Sequence, residues 1–260
     1  MRLSIKEKTL HVIGPALSGS EQKPSLLFVH GAGCNASLWE SQAKHFVGKH
    51  PAFFLDLPGH GGSSPDGEKR ISSYVQWVRL AASELFGSRP VVLVGHSMGG
   101  AVVLEMALEP PPGLAGIVLV GTGAKLAVTR AIFQMLREDV EAFYRTIGEF
   151  AFAAATPGEV RESFIREVRH CPPAVIQDDF MACNDFDIRS RLGDILLPAL
   201  ILCGAEDQLT PKRYSSHLKE RIASSRLLII PEAGHLVMLE RPDVTNQAIE
   251  SFLNEIRTGQ

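Results

Sequence analysis

Ser97 lies in the run Gly95-His96-Ser97-Met98-Gly99-Gly100, directly after the apolar residues 91–94 and before a helical stretch over 98–108. A serine on a tight strand-to-helix turn projects its hydroxyl away from the backbone, and the flanking positions must be glycine because side chains there would strike strand or helix. The pattern is short and the chain holds 23 glycines, so its weight comes from the strand before it and the helix after it. A serine hydroxyl at neutral pH is a poor nucleophile and needs a base, normally histidine, itself oriented by a carboxylate. Two later segments offer these groups. Gly204-Ala205-Glu206-Asp207 follows one apolar run, and Pro231-Glu232-Ala233-Gly234-His235 follows the next. Ser97, Asp207 and His235 are therefore candidates for nucleophilic attack on a carbonyl, with Glu206 adjacent to the acid position.

Positioning them requires a sheet. Short apolar runs at 10–13, 26–30, 52–55, 91–94, 117–120, 199–203 and 227–230 are nearly continuous in Val, Ile, Leu and Phe, as in strands buried on both faces. A further edge strand is expected at 3–6. Helical periodicity fills the intervals: Ile71, Tyr74, Val75, Val78, Ala82 and Leu85 form one apolar stripe. Further helices are expected near 37–48, 98–108, 211–222 and 243–256, the last capped by Asp243. The fold class is thus α/β, a mostly parallel eight-stranded sheet flanked by helices. All three candidates follow the C-terminal ends of strands, the edge where such sheets place ligands.

Residues 124–191 interrupt the alternation with helical periodicity, Pro157-Gly158 and Pro172-Pro173, and no strand pattern. This segment reads as a helical cap (lid) after the sixth strand, with 1–123 and 192–260 forming the core domain. It contains Phe133, Phe143, Phe150, Phe152, Phe164, Phe180 and Phe186, over half of the 13 phenylalanines in the chain. These either build the cap's own core or line an apolar substrate cavity.

Composition limits the partners. The chain has 260 residues, 45% apolar and 21% charged, with 26 Lys and Arg against 29 Asp and Glu for a net charge of −3. No basic run recruits nucleic acid or anionic lipid, and no stretch approaches the roughly 18 apolar residues of a membrane span. The first residues lack the apolar core of a signal peptide, so a cytoplasmic location is expected. Cys34, Cys171, Cys183 and Cys203 show no CxxC spacing, and the nine histidines form no metal-binding pattern. Reduced thiols and no metal or other cofactor are the expectation. His11, His45, His50, His170 and His217 read as structural or solvated, and His30, His60 and His96 as loop hydrogen-bonding and packing residues. Cys34 reads as a small buried hydrophobe, with a place at the border of the site as the alternative.

The order Ser97, Asp207, His235, the turn Gly95 to Gly99 and the tripeptide His30-Gly31-Ala32 resemble the α/β-hydrolase superfamily over nearly the whole chain, in particular its lidded serine carboxylesterases. The segment Asp56-Leu57-Pro58-Gly59-His60-Gly61-Gly62-Ser63 resembles the family's turn after its fourth strand. The resemblance selects Asp207 over Glu206 as the acid. It implies an oxyanion hole from the backbone N–H groups of Ala32 and Met98, with Gly33 as a substitute for Ala32. The family's alternative acid position holds Gly121-Thr122-Gly123, with no carboxylate.

The expected function is hydrolysis of carboxylic esters of small to medium acyl compounds through an acyl-enzyme, with a small-molecule ester as partner. A serine in this turn sets the chain apart from relatives that attack with aspartate. The same triad also serves thioester hydrolysis, carbon–carbon bond hydrolysis and a lyase like that of menaquinone biosynthesis, and a non-catalytic small-molecule receptor uses the same fold. These alternatives stay open at the level of sequence.

Overall fold

The apolar runs pair into a single sheet because strands apolar on both faces satisfy their backbone groups only beside one another, beneath helices. The computed structural model describes residues 1–5, 8–15 and 23–258. Its strands are β1 (Arg2–Ile5), β2 (Lys8–Ile13), β3 (Ser25–Val29), β4 (Ala52–Leu55), β5 (Val91–His96), β6 (Leu114–Val120), β7 (Ala199–Gly204) and β8 (Ser225–Ile230). They lie in the order β1-β2-β4-β3-β5-β6-β7-β8. β1 and β2 are antiparallel additions at one edge, and β4 through β8 run parallel. The expected mostly parallel eight-stranded sheet is what forms; Lys6, the end of the expected edge strand, lies outside the described residues.

Helix α1 (Glu40–Phe46) follows a 3-10 turn at Ala36–Trp39, so the helix expected near 37–48 is split. α2 (Ile71–Phe86) and α3 (Met98–Ala107) form as expected. Between β6 and β7 stand α4 (Arg130–Glu138), α5 (Val140–Phe150), α6 (Gly158–Val168) and α7 (Pro173–Asp185). α8 (Lys212–Arg221), a short α9 (Val237–Glu240) and α10 (Pro242–Thr258) complete the chain. Asp243 falls within the first turn of α10, one residue past the N-terminal proline, so it faces the helix dipole from inside the turn and does not cap it. Among the described residues no helix is long and apolar enough to cross a membrane.

Successive strand residues point to opposite faces, and two apolar layers result. Leu27, Val29, Leu93, Ile117, Leu119 and Ile201 pack with α2, α3 and α8 on one side. Leu26, Phe28, Val92, Val94, Val118 and Leu202 pack with α1, α10 and the helices of 130–185 on the other. The central strands are thereby held by packing on both faces, and the loops at their C-terminal ends have a rigid base.

Candidate active site

Ser97 is the residue between β5 and α3, and its backbone is left-handed, with φ 52° and ψ −115°. Among the described non-glycine residues only Ser97 and Glu232 have positive φ, and Glu232 lies in the loop that carries His235. A serine held there costs on the order of 1–3 kcal/mol, which the neighbourhood must offset. It does so by close packing and hydrogen bonds. A Cβ at Gly95 would lie 2.3 Å from the Gly99 carbonyl oxygen, and one at Gly99 would lie 2.4 Å from the carbonyl oxygens of Val29 and His30. Ser97 N–H donates to Val120 O at 2.9 Å, and Thr122 Oγ1 donates to Ser97 O at 2.8 Å.

The loops after β7 and β8 bring the other two candidates together. His235 Nδ1 lies 3.0 Å from Asp207 Oδ2, with the residues 4% and 5% exposed. Asp207 is held from its other sides by Leu209 N–H at 2.9 Å, Thr210 N–H at 2.8 Å and Thr210 Oγ1 at 2.7 Å. Burial alone would raise its pKa, yet the His235 ring and the Thr210 donors outweigh it and hold the carboxyl below the usual range. With its Nδ1–H directed at a carboxylate, the ring leaves Nε2 bare to accept a proton. Glu206 takes a different task, accepting Ala154 N–H at 3.0 Å. Gly121, at the alternative acid position, has φ +51° and packs closely on His235: an added Cβ would lie 3.0 Å from the His235 carbonyl oxygen and 3.1 Å from Nδ1.

Ser97 and His235 border one cavity of about 440 Å³, together with Gly31, Ala32 and Cys34. Among the described residues Ser97 Oγ makes no hydrogen bond; contacts of this kind tighten when substrate binds. The walls are largely apolar, including Ile132, Ile147, Phe150, Phe164 and Phe180, and among the described residues no Lys, Arg, Asp or Glu borders the cavity. Six of the insertion's seven phenylalanines thus divide: Phe143, Phe152 and Phe186 are buried in the core layers, and Phe150, Phe164 and Phe180 face the cavity, with Phe164 buried as well; Phe133 is half-buried and borders neither. A second cavity of about 360 Å³ lies beside α6, sharing Cys34 and Phe164 with the first but touching neither Ser97 nor His235. Cys34 is buried and its thiol is pushed far up by desolvation, so it contributes surface and no thiolate. All four cysteines are free.

Among the described residues, the amides of Ala32 and Met98 donate to no group of the chain. Gly33 differs, because its N–H donates to Asp179 Oδ2 at 2.9 Å. Gly33 is therefore already committed and does not substitute for Ala32. His30, His60 and His96 are the bonding and packing residues expected: His96 Nε2, for example, donates to the His235 carbonyl at 3.2 Å. Three residues the sequence reading did not single out shape the site, namely Thr210, Asp179 on α7, and Glu240. Asp179 had a signal: it occupies an apolar-face position of its helix, in register with Val175, Ile176, Ala182 and Cys183.

The sequence matches the alpha/beta hydrolase family over residues 26–248, and the chain belongs to that family. It is 29% identical over 250 residues to a pimeloyl-(acyl-carrier protein) methyl ester esterase of Aeromonas hydrophila, covering 89% of this chain and 96% of that one. It is 28% identical over 252 residues to 3-oxoadipate enol-lactonase 2 of Acinetobacter baylyi, covering 92% and 91%. A solved thermophilic esterase superposes with a TM-score of 0.86 at 30% identity, covering 98% of this chain and 97% of that one.

Proposed function

We propose that the protein is a serine esterase that hydrolyses carboxylic esters of uncharged, small to medium acyl groups through an acyl-enzyme. The observation that carries this reading is the buried Asp207–His235 pair opening onto the same apolar cavity as the strained Ser97. Ser97 Oγ attacks the ester carbonyl carbon while His235 Nε2 takes its proton. The negative charge that develops on the carbonyl oxygen is held by the N–H groups of Ala32 and Met98, a contribution of about 10²–10³ in rate for one such donor. The carbon–oxygen bond to the alcohol then breaks, and His235 returns the proton to the departing alkoxide. Water attacks the acyl-serine by the same route, and the acid is released. Asp207 keeps the imidazole in the required tautomer and stabilises its charged form.

The four helices between β6 and β7 act in this reading as a cap over the site. The Lys125–Asp187 bridge and the Ile188 N–H donated to Ala124 O at 2.9 Å join the two ends of this segment and support a boundary near 124–191. With no cationic wall residue among the described residues, neutral acyl groups are favoured over the acids that carbon–carbon hydrolases cleave, since a carboxylate buried there would have no partner.

The test is a series of para-nitrophenyl esters of increasing chain length, alongside fluorophosphonate labelling of wild type and Ser97→Ala. Turnover and labelling in wild type, both lost in Ser97→Ala, are expected. A folded wild type that neither labels nor turns over any ester sinks the esterase reading, and binding without turnover would point to a receptor.

A further inference from the structure

Asp179 is fully buried, and the chemistry above makes no use of it. It projects from α7 into a junction of three segments distant in sequence. Its Oδ2 accepts Gly33 N–H at 2.9 Å and lies 2.9 Å from His60 Nε2, and its Oδ1 accepts the Tyr74 hydroxyl at 2.6 Å. The other His60 nitrogen, Nδ1, faces the Pro58 carbonyl at 3.0 Å. The Pro58 carbonyl can only accept, so Nδ1 carries hydrogen, and opposite an ionised Asp179 Nε2 donates as well, which makes His60 an imidazolium paired with Asp179. Burial opposes that charge, but the carboxylate outweighs it and holds the His60 pKa well above the ordinary value. The His30 ring packs on His60 with centroids 4.8 Å apart and is neutral, donating from Nδ1 to Gly31 O at 2.8 Å and accepting Leu57 N–H at Nε2.

The loop 31–33 is therefore gripped at both ends. His30 holds the Gly31 carbonyl, and Asp179 holds the Gly33 N–H. Gly33 itself has φ +67°, and a Cβ there would lie 3.2 Å from Ile176 of the same α7. Between the two fixed points stands Ala32, the proposed oxyanion donor.

We propose that Asp179, paired with His60, is a positioning residue that sets the oxyanion loop 31–33 from the helical insertion, so that the cap's docking is a condition for stabilising the transition state. The inference rests on the esterase reading, in which Ala32 N–H receives the oxyanion. Asp179→Asn breaks the arrangement with almost no change of volume. A neutral His60 that keeps its bond to Pro58 O must accept at Nε2, which turns the new amide's NH₂ toward the Gly33 N–H, donor against donor. Turning the amide the other way leaves the lone pair of Nδ1 facing the Pro58 carbonyl. The first arrangement releases the Gly33 end of the loop, and the second unseats the His60 ring against which Asp179 is anchored.

The experiment compares wild type, Asp179→Asn, His60→Gln and Tyr74→Phe for kcat, KM, melting temperature and inhibition by an aryl trifluoromethyl ketone. The hemiketal oxygen of that ketone on Ser97 reports the oxyanion site directly. Asp179→Asn is expected to lower kcat about 10- to 100-fold with KM changed less than about threefold. Its inhibition constant for the ketone should rise by the factor lost in kcat/KM. Tyr74→Phe loses the hydroxyl that donates to Oδ1 and accepts Glu68 N–H at 3.0 Å, and should lower the melting temperature while leaving kcat within about twofold. If Asp179→Asn does not fold, His60→Gln is read by the same criterion. Unchanged kcat and ketone affinity in the folded variant overturn the proposal, as does a fall in kcat/KM without a matching loss of ketone affinity. A wild type without labelling or turnover fails the esterase reading instead, and this inference falls with it.

Discussion

His235 donates its backbone N–H to the carbonyl oxygen of Ala151 at 2.8 Å, which ties the loop of the proposed base to the segment between α5 and α6. Glu240 reinforces the same seam. Its Oε1 accepts Gly234 N–H at 2.9 Å, and its Oε2 accepts Ala153 N–H at 2.8 Å and the Thr156 hydroxyl at 2.6 Å. A carboxylate can accept from both sides of the seam, whereas an amide must turn its NH₂ against one of them. Glu240→Gln is therefore expected to lower unfolding free energy by about 1–3 kcal/mol and to reduce kcat more than it raises KM. Urea unfolding and ester kinetics check it, and a variant as stable as wild type removes Glu240 from this role.

Asp207→Asn tests the orientation of the proposed base. The amide can still accept from Leu209 and Thr210, so the loop keeps its shape, but its NH₂ forces the His235 Nδ1 to accept and leaves the proton on Nε2. A fall in kcat of about 10³–10⁴ with a native melting profile is expected. Retention of more than a tenth of wild-type kcat shows that another group orients the imidazole, and Thr210, whose Oγ1 is 3.2 Å from Nδ1, is then the next position to change.

Two buried imidazoles predict the acid limb of stability. Desolvation, followed by the charge of His60, lowers His30 to about 4. Desolvation, followed by the adjacent His235, puts His96 well below the ordinary value. In the unfolded chain each titrates near 6.5. Between about pH 6.5 and 4 the unfolded state thus binds more protons than the folded state, and stability falls as the pH falls. The His30 gap alone corresponds to about 3 kcal/mol. His60 has the opposite sign: its contribution is complete below about pH 6.5 and is lost as the pH rises through its elevated folded pKa. Urea midpoints measured from pH 6.5, where the His60 contribution is complete, down to 4.5 should decline steadily; a midpoint that holds constant from pH 6.5 to 5 contradicts this account.

The sheet was legible in the sequence because each central strand is a continuous apolar run between turn residues, a pattern fixed by local burial. The Ser97 turn was legible for a similar reason, since steric exclusion at Gly95 and Gly99 leaves a local mark. Asp207 and His235 could be read as candidates from their places after β7 and β8, although only the fold brings Nδ1 to within 3.0 Å of Oδ2. The buried carboxylates were not legible as a group. Asp179 meets residues 146, 119 and 105 positions away, and Glu240 reaches 87 positions to Ala153, so the partners that explain each charge lie far outside any local window. Strand ends were also shifted: β6 begins at Leu114, three residues before the apolar run suggests, because Leu114 pairs with Val91 and Gly116 with Val92, while Ala115 sits at the irregularity between them and neither it nor Gly116 adds apolar bulk.

The uncharged cavity predicts a specificity that separates this chain from esterases of acidic compounds. Its volume of about 440 Å³ accepts a short to medium acyl chain, and each methylene it buries contributes about 0.8 kcal/mol. An acyl group ending in a carboxylate would place that charge among Ile132, Ile147, Phe164 and Phe180 with no cation to meet it. Desolvation without a partner costs several kcal/mol, so kcat/KM for mono-para-nitrophenyl glutarate should lie at least about 10³-fold below that for para-nitrophenyl butyrate at pH 7.5. The two esters share a leaving group and differ little in length, so the ratio isolates the charge. A ratio near one would mean that the acyl chain points out through the mouth beside Phe150 and Leu209, both of which are partly exposed, and that the apolar walls hold the alcohol instead.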